Sequence, residues 1–157
     1  MAILLFFLLP PLITGIEFLV FLYTKKKPMN GPIGFLLDMI TLIAFPFLYL
    51  ILEQGFHLFK YYQFSNTLNI LAIIIVVFSI AGYFALQLVN DLLNDTQKTI
   101  ILTILGIGIL LNGIMIYQQY LFFNLFNVPI ILLFIMRIIQ TARSMFSEKE
   151  IHVSKAK

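Results

Sequence analysis

Long apolar runs broken by short polar stretches set the plan of this chain. About twenty consecutive apolar residues cross the ~30 Å hydrocarbon core of a bilayer as one helix. Five such runs are expected, over residues 2–23, 33–52, 68–89, 99–123 and 128–145. The predicted class is an all-α, polytopic transmembrane bundle. Residues 1–146 form the membrane domain and residues 147–157 a short cytoplasmic tail.

Local signals refine these elements. Pro10 and Pro11 predict a kink in the first helix, or a late start to it. The loop over residues 24–32 ends in Asn30, Gly31 and Pro32, and proline suits the first turn of a helix because its missing N–H would be unpaired there anyway. Pro46 predicts a bend in the second run. Asp95 or Thr96 is the expected N-cap of the fourth helix. That helix ends either at Tyr117 or near Phe123. The second end is preferred, because it makes Asn127 an N-cap with Pro129 in the first turn that follows. Residues from Thr141 onward extend the fifth run as a short amphipathic helix.

Composition narrows the picture further. The chain is 61% hydrophobic and 11% charged, with a mean hydropathy of +1.02; soluble domains carry about 25% charged residues. Five spans leave little chain for a soluble domain. There is no cysteine, which excludes disulfides, thiolate catalysis and Cys-based metal sites. Abundant Ile, Phe, Leu, Asn and Lys without Trp fit an AT-rich bacterial genome, so the expected location is the bacterial cytoplasmic membrane.

Charge then orients the helices. Lys25, Lys26, Lys27, Lys98, Arg137, Arg143, Lys149, Lys155 and Lys157 fall on one side of the predicted bundle, and Lys60 on the other. Lys and Arg in short loops mark the cytoplasmic side. The N-terminus is therefore expected outside and the C-terminus inside. The first run has no basic segment before it and three lysines after it, so it reads as a retained anchor. The basic excess is accounted for by topology and anionic lipid rather than by nucleic acid. Between the second and third runs, Phe56, Leu58, Phe59, Tyr61 and Tyr62 fit an interfacial stretch.

Candidate chemistry lies inside the spans. An acid at the centre of a bilayer helix costs roughly 2.5–3.5 kcal/mol on insertion scales and faces a partner or a water-filled path. Glu17 lies ~9 Å and Asp38 ~8 Å from the inner surface, at 1.5 Å per residue, so the two are nearly level. Arg137 lies ~15 Å into the fifth span. Glu17, Asp38 and Arg137 are predicted to form an intramembrane polar centre with one net negative charge, and residues 25–27 can snorkel toward it. Two close carboxylates would also allow proton or cation binding.

Other polar groups receive blander readings. Asn112, Asn124 and Asn127 suit interhelical hydrogen bonds and capping. Glu53 and His57 share a helical face but lack a third metal ligand, and His152 reads as solvated. Asp91 and Asp95, four apart, resemble magnesium–diphosphate ligands, but their spacing is one residue longer than the Asn-Asp-x-x-Asp of membrane prenyltransferases. Small residues let membrane helices approach closely. Ser79, Gly82 and Ala85 on the third run are thus expected to pack against Gly106 and Gly113 on the fourth, with Gly108 and Asn112 nearby.

The function expected from these features is a non-catalytic accessory or regulatory subunit of a bacterial membrane complex, in contact with lipids and another membrane protein. No nucleic acid, cofactor or metal is expected. A small proton- or cation-coupled transporter or channel subunit using Glu17 and Asp38 is the first alternative. A lipid-modifying enzyme using Asp91 and Asp95 is the second.

Overall fold

The computed structural model describes residues 2–27, 31–44, 47, 67–118 and 121–155. The described residues are all-α. Helix α1 is Ala2–Thr24. Helix α2, Pro32–Met39, continues as a π turn over Ile40–Ala44. Helix α3 is Thr67–Leu88, and a 3-10 turn, Asn90–Leu92, follows it. Helices α4, Asp95–Gln118, and α5, Leu121–Lys155, complete the chain.

Each boundary has a local cause. Helix α1 runs through Pro10 and Pro11 instead of starting after them. It stops at Lys25, whose φ of 61° is left-handed and whose N–H reaches back to the Phe21 carbonyl at 2.7 Å. That is an αL helix end, usually made by glycine. The Thr24 hydroxyl supports it, 2.8 Å from the Val20 carbonyl. Gly31, with φ 97°, turns the chain into α2 in a conformation closed to side chains with a Cβ, and Pro32 opens the helix. The expected bend at Pro46 lies outside the described residues. The π turn comes just ahead of it, where a proline would clash with the carbonyl of Leu42 four residues back in a regular helix.

The fourth helix is capped by Asn94, not by Asp95 or Thr96. Asn94 Oδ1 accepts from the Gln97 N–H at 2.8 Å, and Gln97 Oε1 accepts from the Asn94 N–H at 3.1 Å. This reciprocal capping box satisfies two otherwise orphaned donors, and Asp95 sits in the first turn at the positive end of the helix dipole. Helix α4 ends at Gln118, so the preferred end near Phe123 is corrected. Asn127 is not an N-cap either. It lies inside α5, which already begins by Leu121, and Pro129 is an interior proline. Asn127, Pro129 and Ile130 are buried against the bundle, and packed neighbours tolerate an interior proline.

Helix α4 packs against α3 and α5, while α1 lies along α5. Phe21, Leu42, Tyr83, Leu86, Leu105, Leu133, Phe134 and Met136 form the core between them. At the α3–α4 contact the Ser79 hydroxyl lies 2.8 Å from the Ile75 carbonyl and 3.1 Å from the Ile104 carbonyl across the interface. The glycine that permits this approach is Gly108. A Cβ there would overlap Ser79, whereas Gly106 and Gly113 have open space. Gly82 faces Ile101, whose methyl would lie 2.9 Å from an added Cβ. Ala85 is half-buried on the same helix. The Asn112 amide bonds within its own helix, to the Gly108 carbonyl at 2.7 Å, rather than between helices.

Exposure is inverted relative to a water-soluble bundle. Leu9, Leu12, Ile16, Leu19, Ile33, Leu36, Phe78 and Leu110 face outward, while Glu17, Lys27, Asp38, Ser79, Asn112 and Thr141 are buried. Among the described residues, Asp95–Ile114 and Asn127–Ser147 are long and apolar enough to cross a membrane. Leu8–Thr24, Pro32–Ala44 and Ile74–Leu88 are shorter apolar segments.

Candidate functional site

Buried Lys27 and Asp38 meet Tyr83 where the chain just past α1, the last turn of α2 and the second half of α3 come together beside α5. Lys27 follows the left-handed turn that ends α1, and this turn sends its side chain inward while Lys25 and Lys26 stay exposed. Its ammonium donates to Asp38 Oδ1 at 2.6 Å and also contacts Oδ2. The Tyr83 hydroxyl donates to Asp38 Oδ2 at 2.7 Å and accepts from Lys27 at 3.2 Å. Three groups thus close a hydrogen-bonded triangle drawn from the α1–α2 connection, α2 and α3. Both charged side chains are essentially inaccessible, at 2% and 1% exposure.

Aromatic rings enclose the triangle. Tyr83 lies edge-on to Phe84 at 5.4 Å and tilted to Phe134 at 6.1 Å, and Phe35 meets Phe84 at 5.5 Å. The Arg137 guanidinium stacks over the Tyr83 ring, 4.8 Å from its centroid. A cation over an aromatic face gains about 0.5–2 kcal/mol, more when shielded from water. Tyr83 is therefore the hub. Its hydroxyl serves the ion pair, and its face serves α5.

The expected centre of Glu17, Asp38 and Arg137 takes a different form. Asp38 is paired with Lys27, and Arg137 forms no ion pair with either acid. Glu17 is 4% exposed on α1, and its Oε1 is buried without a hydrogen-bond partner. It lies close enough to feel the charges of Lys27 and Asp38. With Lys27 counted, the four ionisable groups balance when charged, replacing the expected single negative charge. Lys27 and Tyr83 are the residues that sequence reasoning underused. The available signal was a tyrosine hydroxyl in the middle of an apolar run, where it needs a partner.

Other candidates separate. Asp91 belongs to the 3-10 turn and Asp95 to α4, with extended Leu93 between them. They do not share one helical face, which removes the geometry behind the magnesium reading. Asn127 is buried in α5 with its amide nitrogen unpaired. Glu53, His57, Lys60, Tyr61 and Tyr62 lie outside the described residues, as do the side chains of Asn124 and His152. At the same end of the bundle, Arg143 Nη1 donates to the Lys25 carbonyl at 3.2 Å, tying α5 to the end of α1.

Comparison with known proteins returns no matching family model, no similar curated protein and no similar solved structure.

Proposed function

We propose that this chain is a five-span protein of the bacterial cytoplasmic membrane, with its N-terminus outside and its C-terminus inside. It acts as a non-catalytic accessory or regulatory subunit of a membrane complex. The outward apolar side chains and buried polar ones support the membrane reading. The meeting of Arg143 with the Lys25 carbonyl supports a single basic end.

The observation that carries the subunit reading is the closed triangle of Lys27, Asp38 and Tyr83. Charges that a transporter would leave open to water or substrate are engaged here with each other across three segments. Such an arrangement fixes helix positions and leaves the outer faces for contact with lipid or another membrane protein. Purification of the tagged chain from its native membrane in mild detergent tests this. A stoichiometric membrane partner is expected, and a monodisperse protein alone would sink the reading.

A second reading rests on Glu17, whose unpaired buried oxygen is a feature of proton or cation pathways. If the chain is such a transporter, replacing Glu17 with Gln and Asp38 with Asn together abolishes ion flux in proteoliposomes. Unchanged flux in that double variant eliminates it.

A further inference from the structure

The end of α1 and the latter part of α5 meet in a group of exposed cations that the triangle does not use. Arg143 Nη1 donates to the Lys25 carbonyl at 3.2 Å, which holds the two residues side by side. The Lys26 N–H donates to the Thr24 hydroxyl at 3.3 Å, and this steadies the turn that sends Lys27 inward. Lys25, Lys26 and Arg143 are all exposed. Among the described residues none of the three has an ion-pair partner, since Asp38 is taken by Lys27. Like charges gathered without an acid repel one another, and an anion between them removes that cost.

The backbone of Lys25 sharpens the point. Its φ of 61° is left-handed, where glycine ends a helix without strain and a side chain with a Cβ is disfavoured. A lysine kept there against the backbone preference has a use for its side chain. The surroundings narrow the ligand. Tyr23 and Phe146, 92% and 69% exposed, lie within three residues of these cations along their own helices. Exposed tyrosine beside lysine and arginine fits the level of membrane headgroups. Cations next to outward aromatic rings suit a molecule with an anionic head and an apolar body. A water-soluble acidic segment would use the charges and leave the rings in water. The planar guanidinium matches phosphate oxygens, and the lysines add point charges.

We propose that this patch binds an anionic glycerophospholipid, with its phosphodiester on Arg143 and Lys25, Lys26 adding charge, and Tyr23 and Phe146 against its apolar part. The inference rests on the membrane reading given above, but not on the subunit reading. Sodium carbonate extraction separates the two failures. Release of the chain into the supernatant defeats the membrane reading. A chain that stays in the pellet and shows no anionic preference defeats only the lipid site.

The test uses the full chain in mild detergent. Phosphatidylglycerol, phosphatidylcholine with the same acyl chains, glycerol 3-phosphate and an octaglutamate peptide are titrated in turn, and native mass spectrometry counts the bound molecules. Saturable binding of phosphatidylglycerol is expected, about fivefold or more tighter than of the other three, because each cation near an anionic lipid surface contributes about fivefold. Lys25→Gly should weaken that binding about fivefold while the protein melts at the same temperature or higher, since glycine suits the left-handed turn. With Arg143→Gln added, the loss should reach about 25-fold. Lys155→Gln removes an equal charge twelve residues further along α5, ~18 Å away, and should leave binding unchanged. Equal binding of the two lipids would overturn the proposal. So would octaglutamate or glycerol 3-phosphate binding as tightly as phosphatidylglycerol, or Lys155→Gln weakening it as much as Lys25→Gly.

Discussion

Lys27 and Asp38 illustrate how much of a buried pair depends on both members being present. Taking one partner away leaves the other charge without compensation in a site with almost no water, which costs about 3–5 kcal/mol; removing both leaves a gap but no orphaned charge. Lys27→Met is therefore expected to lower thermal stability in detergent sharply. The double variant Lys27→Met with Asp38→Leu should recover most of the loss, and a tryptophan-free fluorescence or circular dichroism melt measures both. Failure of the second change to recover stability would show that the pair is not the principal role of these residues. The acids were legible in the sequence, because a carboxylate inside an apolar run stands out. The choice of partner was not. Lys27 is three residues beyond the end of α1, and whether it snorkels out or turns in depends on the left-handed backbone at Lys25. The contact of Arg137 is an aromatic face, which charge counting does not reveal.

At the level of elements, hydropathy locates helices well and their junctions less well. The apolar runs coincide with α1, α3, α4 and much of α5, since apolar length and helix length are set by the same residues. The junction between α4 and α5 was misplaced because Asn127 and Pro129 imitate a helix start, while the packing that carries α5 through them is tertiary. Asn94 with Gln97 was a readable capping box that the nearby acids obscured. Glycine positions had the same difficulty. Gly106, Gly108 and Gly113 differ only in which way they face, and only Gly108 lies under Ser79. Gly108→Ala should therefore destabilise the α3–α4 contact, and a further Ser79→Gly change should relieve it. Gly106→Ala has room and should be neutral, or stabilising by up to about 1 kcal/mol from helix propensity. Thermal melts of the three variants give the order. If Gly106→Ala proves as damaging as Gly108→Ala, the assigned contact face is wrong.

For the whole molecule, the leading prediction concerns orientation. No native cysteine is present, so single cysteines can be introduced and labelled cleanly. Cysteines replacing Lys26 or Asp91 should react with an impermeant maleimide only after the cells are opened. Labelling of either from outside would invert the proposed topology. The length of α5 bears on the same point. Its 35 residues extend ~50 Å at 1.5 Å per residue, well beyond the ~30 Å hydrocarbon core. In the proposed five-span topology its last turns, with Lys149 and Lys155, continue the helix past the hydrocarbon core.

The π turn over Ile40–Ala44 has a geometric consequence for α2. A π turn holds about one residue more than a regular turn, and each residue of an α-helix advances the direction of its side chain by ~100°. A wheel drawn from Pro32 at that step falls out of phase within the turn itself. Asp38, ahead of the turn, points inward, and Thr41 and Leu42 within the turn are buried as well. The wider turn thereby brings two successive side chains, Thr41 and Leu42, to the interior, so a polar and an apolar group are buried side by side.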